Sequence, residues 1–264
     1  MTTRTTLRHR LKTGRALITF LQTRSNLTLA EMAALCGYDV LLLDGEHGLF
    51  TQKDYLDTVQ VLASTGALAI VRVPSHDPQA LGQYMDIGVD GIVVPNVSTA
   101  DQARTLANAM EYPPAGTRGF GAALHRATHY GLDLAAYLQA PRERVMLLPL
   151  IESAVGAANA EEILAIEGVD GVIIGPWDLS TSLGCTGDFS QPAYGQAVSR
   201  IERAARARGK ILGTAPHPGY TIDALISRGH RLLILDDDIS LVCEALTAKV
   251  KQAKASLDTA GSTQ

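Results

Sequence analysis

The sequence has 264 residues, of which 46% are hydrophobic, 19% are charged and 5% are aromatic. This composition excludes a disordered chain, a collagen-like repeat and a charge-rich coiled coil. The formal net charge is −4 and no basic stretch is interleaved with aromatic residues, so we expect no nucleic-acid partner. Charged residues end every apolar run well before the roughly 18 residues that a membrane span needs, so we expect no membrane partner.

Cysteine usage indicates a reducing compartment. Cys36, Cys185 and Cys243 lie far apart and form no CxxC pair, so neither a disulfide framework nor a structural zinc site is expected. The basic, threonine-rich N-terminus is similar to an organelle transit peptide, but the apolar run 16–21 within it reads as a strand that the fold needs. We therefore expect a cytoplasmic protein.

Short apolar, β-branched runs recur eight times along the chain, and helix-length stretches separate them. This alternation is typical of parallel βα units, and eight units predict an α/β fold of the (β/α)8 TIM-barrel type. We predict a single domain over residues 1–264, with an extra N-terminal helix over Thr2–Thr13 and a frayed tail over Ser256–Gln264. The predicted strands are Arg15–Leu21, Asp39–Leu43, Ala67–Val73, Gly91–Pro95, Val145–Ile151, Gly171–Gly175, Lys210–Thr214 and Arg231–Leu235, and the main predicted helices are Leu27–Leu35, Gln52–Ala63, Asp77–Ile87, Ala100–Met110, Ala154–Ile166 and Ala193–Ala207.

Polar residues follow most of the predicted strands. The active site of such a barrel is assembled from the loops at the carboxyl ends of its strands, so these residues form the candidate site. The face collects acids, histidines and one arginine, namely Asp44, Glu46, His47, Arg72, Asn96, Glu152, Asp178, His217 and Asp236 to Asp238.

Glu152 and Asp178 are one βα unit apart, so their carboxylates are predicted to project from adjacent strand ends. Two hard oxygen ligands, with water and substrate in the other positions, describe an open Mg²⁺ or Mn²⁺ site. Alternatively, Glu152 caps a helix that begins at Ser153 and Asp178 caps one that begins at Leu179. Helix-end chemistry alone leaves both interpretations open.

Arg72 and His47 are candidates for charge stabilisation and proton transfer. Arg72 ends an otherwise apolar strand, so its guanidinium needs an anionic partner, either a substrate carboxylate or an acid of the site. His47 follows Asp44 by three residues, which allows the carboxylate to orient the imidazole directly or through water, as a general base requires. The alternative is a loop histidine that faces solvent.

Four segments, taken in order, resemble the HpcH/HpaI family of class II, metal-dependent pyruvate aldolases. They are DGEH at 44–47, RVP at 72–74, YPPAGTRG at 112–119 and GVDGVIIGPWDLS at 168–180, and the similarity extends from about Arg15 to Val250. The resemblance implies a (β/α)8 barrel that cleaves 2-oxo-4-hydroxy acids reversibly to pyruvate or hydroxypyruvate, the donor, and an aldehyde, the acceptor. It also implies a divalent cation (Mg²⁺, Mn²⁺ or Co²⁺) and a homohexamer built as a trimer of dimers.

The resemblance also implies roles for individual residues. Glu152 and Asp178 match the metal ligands, and Arg72 matches the arginine that holds the donor's keto and carboxylate oxygens. His47 with Asp44 matches the base pair, and Asp86 matches an aspartate that the family lends to the neighbouring subunit's site. The turn that receives the pyruvate carboxylate on its backbone N–H groups matches Gly175, Pro176, Trp177 and Asp178.

Some positions depart from the family pattern and bear on specificity. Leu150 and Trp177 predict a drier and narrower pocket, and His217 either contacts the acceptor or, as we favour, only forms a turn between two prolines. None of the six lysines ends a predicted strand, so no Schiff-base mechanism is expected. Two alternatives remain: a citrate-lyase-like lyase acting on acyl-CoA esters, and a non-catalytic barrel that binds 2-oxo acids.

Overall fold

The computed structural model describes the backbone of residues 5–261 and the side chains of residues 5–258. Eight parallel strands form a closed barrel in chain order, with the last strand hydrogen-bonded to the first. This confirms the predicted (β/α)8 barrel, and each predicted run overlaps one strand, with the first, second and eighth strands extending past the predicted ends at Leu21, Leu43 and Leu235. The strands are β1 (Leu17–Gln22), β2 (Val40–Asp44), β3 (Leu68–Arg72), β4 (Gly91–Val94), β5 (Met146–Ile151), β6 (Gly171–Ile174), β7 (Ile211–Thr214) and β8 (Leu232–Asp237).

Helices follow the strands on the outside of the barrel. The prediction for Leu27–Leu35 is confirmed at both ends, whereas the stretch predicted as one helix over Ala154–Ile166 forms two, because Asn159 leaves the helical conformation and donates its side-chain N–H to the carbonyl of Ser98 (2.8 Å). The α-helices of the described residues are α1 (Leu7–Lys12), α2 (Leu27–Leu35), α3 (Gln52–Leu62), α4 (Pro78–Ile87), α5 (Ala100–Ala109), α6 (Leu134–Gln139), α7 (Ala154–Ala158), α8 (Ala160–Leu164), α9 (Pro176–Ser182), α10 (Pro192–Ala207), α11 (Ile222–Ser227) and α12 (Asp238–Gly261).

The N-terminal helix closes the amino end of the barrel. Leu7 and Leu11, one turn apart on α1, are buried in the cluster of aliphatic side chains that fills the barrel interior. The helix is shorter than predicted because the Thr6 side chain accepts the N–H of His9 and thereby caps its first turn. The part of the prediction over residues 2–4 lies outside the described residues. With this end closed, the carboxyl ends of the strands form the accessible face.

The C-terminal helix α12 contacts the barrel mainly through its first turn. The buried Asp238 carboxylate accepts the backbone N–H groups of Thr23 (3.0 Å) and Arg24 (2.9 Å), whereas every residue over 239–258 is exposed. The predicted frayed tail is wrong up to residue 261, because α12 continues that far in helical conformation; residues 262–264 lie outside the described part. Within the described residues, no helix combines the length and apolar character that a membrane crossing requires.

Candidate functional site

The closed barrel brings most of the predicted site residues to one rim. Asp44 and Arg72 are the last residues of β2 and β3, Glu152 directly follows β5, and Asp178 lies in the first turn of α9 after β6. Because all eight strands run parallel, these positions share the carboxyl end of the barrel. The candidate site is therefore built on strand ends, which position side chains more rigidly than loops do.

Arg72 and Asp44 form a two-pronged ion pair at this rim. They are register partners on neighbouring strands; Nε of Arg72 donates to Oδ1 of Asp44 (2.8 Å) and Nη2 donates to Oδ2 (2.8 Å). The remaining terminal nitrogen, Nη1, lies 3.2 Å from Oε2 of Glu46. Burial alone would raise the pKa of Asp44, but the guanidinium outweighs it and lowers that pKa. The sequence analysis left a substrate carboxylate or an acid of the site as the partner of Arg72, and the structure shows that an acid of the site, Asp44, is bound to it.

Asp44 shapes the following turn without contacting the His47 ring. Its Oδ1 accepts the backbone N–H groups of Glu46 (3.1 Å) and His47 (3.3 Å). The His47 imidazole is 68% exposed, and its Nε2 lies 3.8 Å from Oε2 of Glu46. Asp44 therefore does not contact the His47 ring directly, because its carboxylate is bound to Arg72 and to the backbone of the turn. A contact between the two residues through water stays a prediction.

Glu152 is a buried acid whose pKa is raised. It is 8% exposed, and its Oε1 accepts the backbone N–H of Asn96 (2.7 Å). Burial, with the nearby charges of Glu46 and Asp178, raises the pKa of Glu152 to about 7 against the opposing effects of Asn96 and Arg72. Deprotonation at this position becomes favourable when a positive charge binds beside it.

A glycine makes room for this carboxylate. A Cβ added at Gly175 would stand 2.7 Å from Oε2 of Glu152 and 2.9 Å from its Cβ. No side chain larger than hydrogen therefore fits at position 175 while Glu152 keeps its place. The close approach of the two loops leaves Oε2 beside the start of α9, where Asp178 lies.

The capping alternative for the two acids is wrong. Ser153 is the N-cap of α7 and accepts the N–H of Gly156 (3.1 Å), so Glu152 is not the cap. Helix α9 begins at Pro176 rather than Leu179, and no side chain caps it, which leaves the Asp178 carboxylate exposed in the first turn. Both acids are therefore available for another role.

The oxygen-only donor set fits a hard divalent cation. No group of three or more His, Cys, Asp or Glu side chains suited to a metal occurs in the part of the chain that the structure describes. Glu152 and Asp178 would thus be the only protein ligands, with the other positions left to water and substrate, as in an open Mg²⁺-type site. The hydrogen bond to Glu152 comes from the neutral backbone N–H of Asn96, so a cation bound beside Glu152 would meet no competing positively charged donor.

Only part of the predicted carboxylate-binding turn can donate hydrogen bonds. The N–H of Gly175 donates to the Ile151 carbonyl (3.2 Å), and Pro176 has no N–H. The N–H groups of Trp177 and Asp178 lie in the first turn of α9, where a helix supplies no acceptor. Trp177 is 59% exposed, and its ring packs edge-on against Phe189 at the border of the site.

His217 belongs to an aromatic cluster rather than to an acceptor pocket. One ring nitrogen, Nδ1, donates to the Ala215 carbonyl (2.8 Å), and Nε2 accepts the Tyr194 hydroxyl (2.7 Å). Its ring stacks on Tyr220 at 4.4 Å between centroids. Burial lowers the pKa of His217, so the ring is held neutral with both nitrogens occupied. This arrangement agrees with the turn histidine that we favoured.

Asp86 is the one predicted catalytic residue that the barrel does not bring to this rim. It is the second-to-last residue of α4, and β4 begins five residues later. The end of α4 therefore lies near the amino end of the barrel, where β4 starts. Its carboxylate contacts Arg118 and His125, two residues that the sequence analysis did not single out. Arg118 does lie in the segment 112–119 that carries the family resemblance, whereas His125 is six residues beyond that segment.

Comparisons with known proteins agree with this geometry. A sequence model of the HpcH/HpaI aldolase/citrate lyase family matches residues 17–231. The chain is 39% identical to a hydroxypyruvate/pyruvate aldolase of Delftia acidovorans (86% of this chain, 84% of that protein) and 34% identical to a 2-keto-3-deoxy-L-rhamnonate aldolase of Shigella sonnei (94% and 92%). It superimposes with a TM-score of 0.87 on the crystal structure of an HpcH/HpaI aldolase from Desulfitobacterium hafniense, at 26% identity over 95% of this chain and 97% of that one.

Proposed function

Because the chain belongs to the HpcH/HpaI aldolase/citrate lyase family, which confirms the resemblance seen in the sequence, we propose that it cleaves 2-oxo-4-hydroxy acids reversibly to pyruvate or hydroxypyruvate and an aldehyde. The chain is a carbon–carbon lyase, and the aldolase names of relatives at 33–39% identity support the donor. A solved citrate lyase of Burkholderia xenovorans and a citrate lyase beta subunit of M. tuberculosis, at 15% and 18% identity, show the fold alone and do not favour the acyl-CoA alternative.

Glu152 and Asp178 would hold a divalent cation, for which we propose Mg²⁺, Mn²⁺ or Co²⁺. Such a cation supplies fixed positive charge beside the negative charge that develops on the donor's keto oxygen. Arg72 would add a second positive charge through its Nη1, which is not part of the two-pronged contact with Asp44 and lies 3.2 Å from Oε2 of Glu46. The N–H groups of Trp177 and Asp178 would receive the donor carboxylate.

Cleavage also needs a base for the proton of the C4 hydroxyl group. His47 is the exposed imidazole at the rim, so it can reach that proton and return it to the aldehyde oxygen in synthesis. Asp44 holds the turn that carries His47 and keeps Arg72 in place. Asp44 would therefore influence both charge stabilisation and proton transfer, and a bridging water would complete its contact to the ring.

The observation that carries the proposal is the buried Glu152 beside Asp178, two acids with a raised pKa on Glu152 and no capping role. Glu152→Gln and Asp178→Asn should each abolish retro-aldol activity while the circular dichroism spectrum stays that of the wild type, and a chelator should reproduce both variants. Activity that persists in full after chelation would show that the metal mechanism is wrong. Borohydride with pyruvate should leave no covalent adduct, because the lysine side chains do not end strands.

The remaining parts of the proposal concern the assembly. The position of Asp86 away from its own rim supports a role across a subunit contact, in a homohexamer built as a trimer of dimers. Mixing Asp86→Ala with His47→Ala subunits should then restore part of the activity. Three free thiols support a cytoplasmic location, and the unbroken βα alternation supports a single domain over residues 1–264.

A further inference from the structure

Asn96 has an unusual backbone conformation at the carboxyl rim, two residues after β4 ends. Its φ is +48°, in the left-handed region that glycine favours and that asparagine adopts more often than most other residues. The described residues contain two other non-glycine positions with positive φ, His129 and Tyr130. Both follow Arg126, whose guanidinium donates to the carbonyl of Ile87 at the end of α4 (3.3 Å), so they lie near the amino end of the barrel. Of the three, Asn96 is thus the one that adjoins the candidate site.

The left-handed residue turns two consecutive backbone N–H groups toward the β5 segment. The N–H of Asn96 donates to Oε1 of Glu152 (2.7 Å), and the N–H of Val97 donates to the carbonyl of Leu150 (3.1 Å). Consecutive N–H groups of an extended strand point to opposite sides, so both can face one neighbour only where the chain leaves the extended conformation. The conformation of Asn96 therefore lets the chain keep its bond to β5 and bind the Glu152 carboxylate as well.

The Asn96 side chain takes no part in this contact. The residue is exposed, and its Oδ1 accepts the hydroxyl of Ser98 (3.3 Å). Any residue other than proline at position 96 keeps the N–H that faces Glu152, but residues differ in how easily they adopt a positive φ. Glycine adopts it readily, whereas a β-branched residue strongly disfavours it. Substitutions at this one position can therefore change the backbone conformation while the N–H group stays in the chain.

The two oxygens of Glu152 have different surroundings. Oε1 accepts the Asn96 N–H, whereas Oε2 lies beside Gly175, where an added Cβ would stand 2.7 Å from it. We propose that Asn96 is a positioning residue, whose left-handed backbone holds Oε1 of Glu152 and so leaves Oε2 for the divalent cation; this inference rests on the proposed metal site. Hydrogen-bonded partners orient metal-binding carboxylates, and their loss weakens metal binding by roughly 10- to 100-fold.

The test measures the Kd for Mn²⁺ of the metal-free full chain by electron paramagnetic resonance, without turnover. Asn96→Val should raise this Kd by about tenfold or more, because a β-branched side chain disfavours the positive φ that aims the N–H at Glu152. Asn96→Gly should keep the wild-type Kd, because glycine adopts the left-handed conformation without a Cβ clash. If Asn96→Val does not fold, Asn96→Ala replaces it, and the Kd should rise in the same direction.

Two control variants separate the backbone effect from the side chain and from general destabilisation. Ser98→Ala removes the partner of the Asn96 amide and should leave the Kd for Mn²⁺ unchanged. His129→Val places the same β-branched residue at a φ of 50° near the amino end of the barrel. It should lower the midpoint of urea denaturation, as Asn96→Val does, but should not change the Kd.

Three results would overturn the inference. One is a wild-type Kd in folded Asn96→Val, or in Asn96→Ala where that variant replaces it. Another is an equal loss of affinity in Asn96→Gly, since the side chain and not the backbone would then be responsible. The third is an equal loss in His129→Val, since general destabilisation would then explain the effect. Wild-type protein that does not bind Mn²⁺ would instead refute the proposed metal site.

Discussion

Replacing the buried acid Glu152 by glutamine should stabilise the metal-free protein. The pKa of Glu152 rises from its ordinary value of 4.5 to about 7 on folding, mainly through burial. Below pH 4.5 the group is protonated in both states, and its contribution to stability is lost as the pH rises through about 7, because the folded state then has to bury a charge. A difference of about 2.5 pH units corresponds to about 3 kcal/mol. Glutamine is neutral throughout and keeps an oxygen for the Asn96 N–H.

The assay is urea denaturation at a fixed protein concentration, with a chelator present, at pH 5 and pH 8. We expect Glu152→Gln to exceed the wild type in free energy of unfolding by about 3 kcal/mol at pH 8 and by much less at pH 5. Asp178→Asn is the matched control, because Asp178 is exposed and should change the pH dependence far less. Added Mn²⁺ should reverse the order by stabilising the wild type alone. A difference between wild type and variant that is equal at both pH values would refute the reasoning.

Three further outcomes follow from the rim geometry. Gly175→Ala should weaken Mn²⁺ binding by 10-fold or more in calorimetry although it removes no ligand, because the new Cβ displaces the Glu152 carboxylate. Arg72→Lys should be nearly as damaging as Arg72→Ala, costing about 3 kcal/mol of transition-state stabilisation in kcat/KM, since an ammonium cannot make the two-pronged contact. Both Arg72 variants should also lose deuterium exchange into the methyl group of pyruvate, measured by NMR; exchange at the wild-type rate would assign Arg72 to the acceptor instead. Asp44→Asn should destabilise the protein by about 3 kcal/mol in urea, because it breaks a buried ion pair, and an unchanged midpoint would contradict that pairing.

The barrel itself was predictable because its strands are buried on both faces. Such strands read as short continuous apolar runs, and β2, with all five residues buried, is an example. The rim acids were predictable for a related reason, since parallel strands bring successive strand ends to one place. Residues such as Asp44, Glu152 and Asp178 could therefore be assigned to a common face from their order in the sequence.

Contacts between distant segments were not predictable. The partners of Asp86 are 32 and 39 residues further along the chain, in an irregular loop whose path no periodicity specifies. Likewise, Asp44 was expected to orient His47, but the register between β2 and β3 sets Arg72 beside it. A sequence pattern indicates which residues share a face, whereas the choice among several charged neighbours depends on distances that only the folded chain defines.

In the role proposed for Arg72, its ion pair with Asp44 would couple donor recognition to the stability of the barrel. Its guanidinium is immobilised when the chain folds, so the loss of side-chain entropy is not incurred again when a donor binds. Replacing a buried ion pair by apolar residues often stabilises a protein, so a screen for thermostability would tend to select substitutions of Arg72 and Asp44. Variants selected in that way would keep the barrel and lose the preorganised cationic contact, so directed evolution of this enzyme should hold both residues fixed.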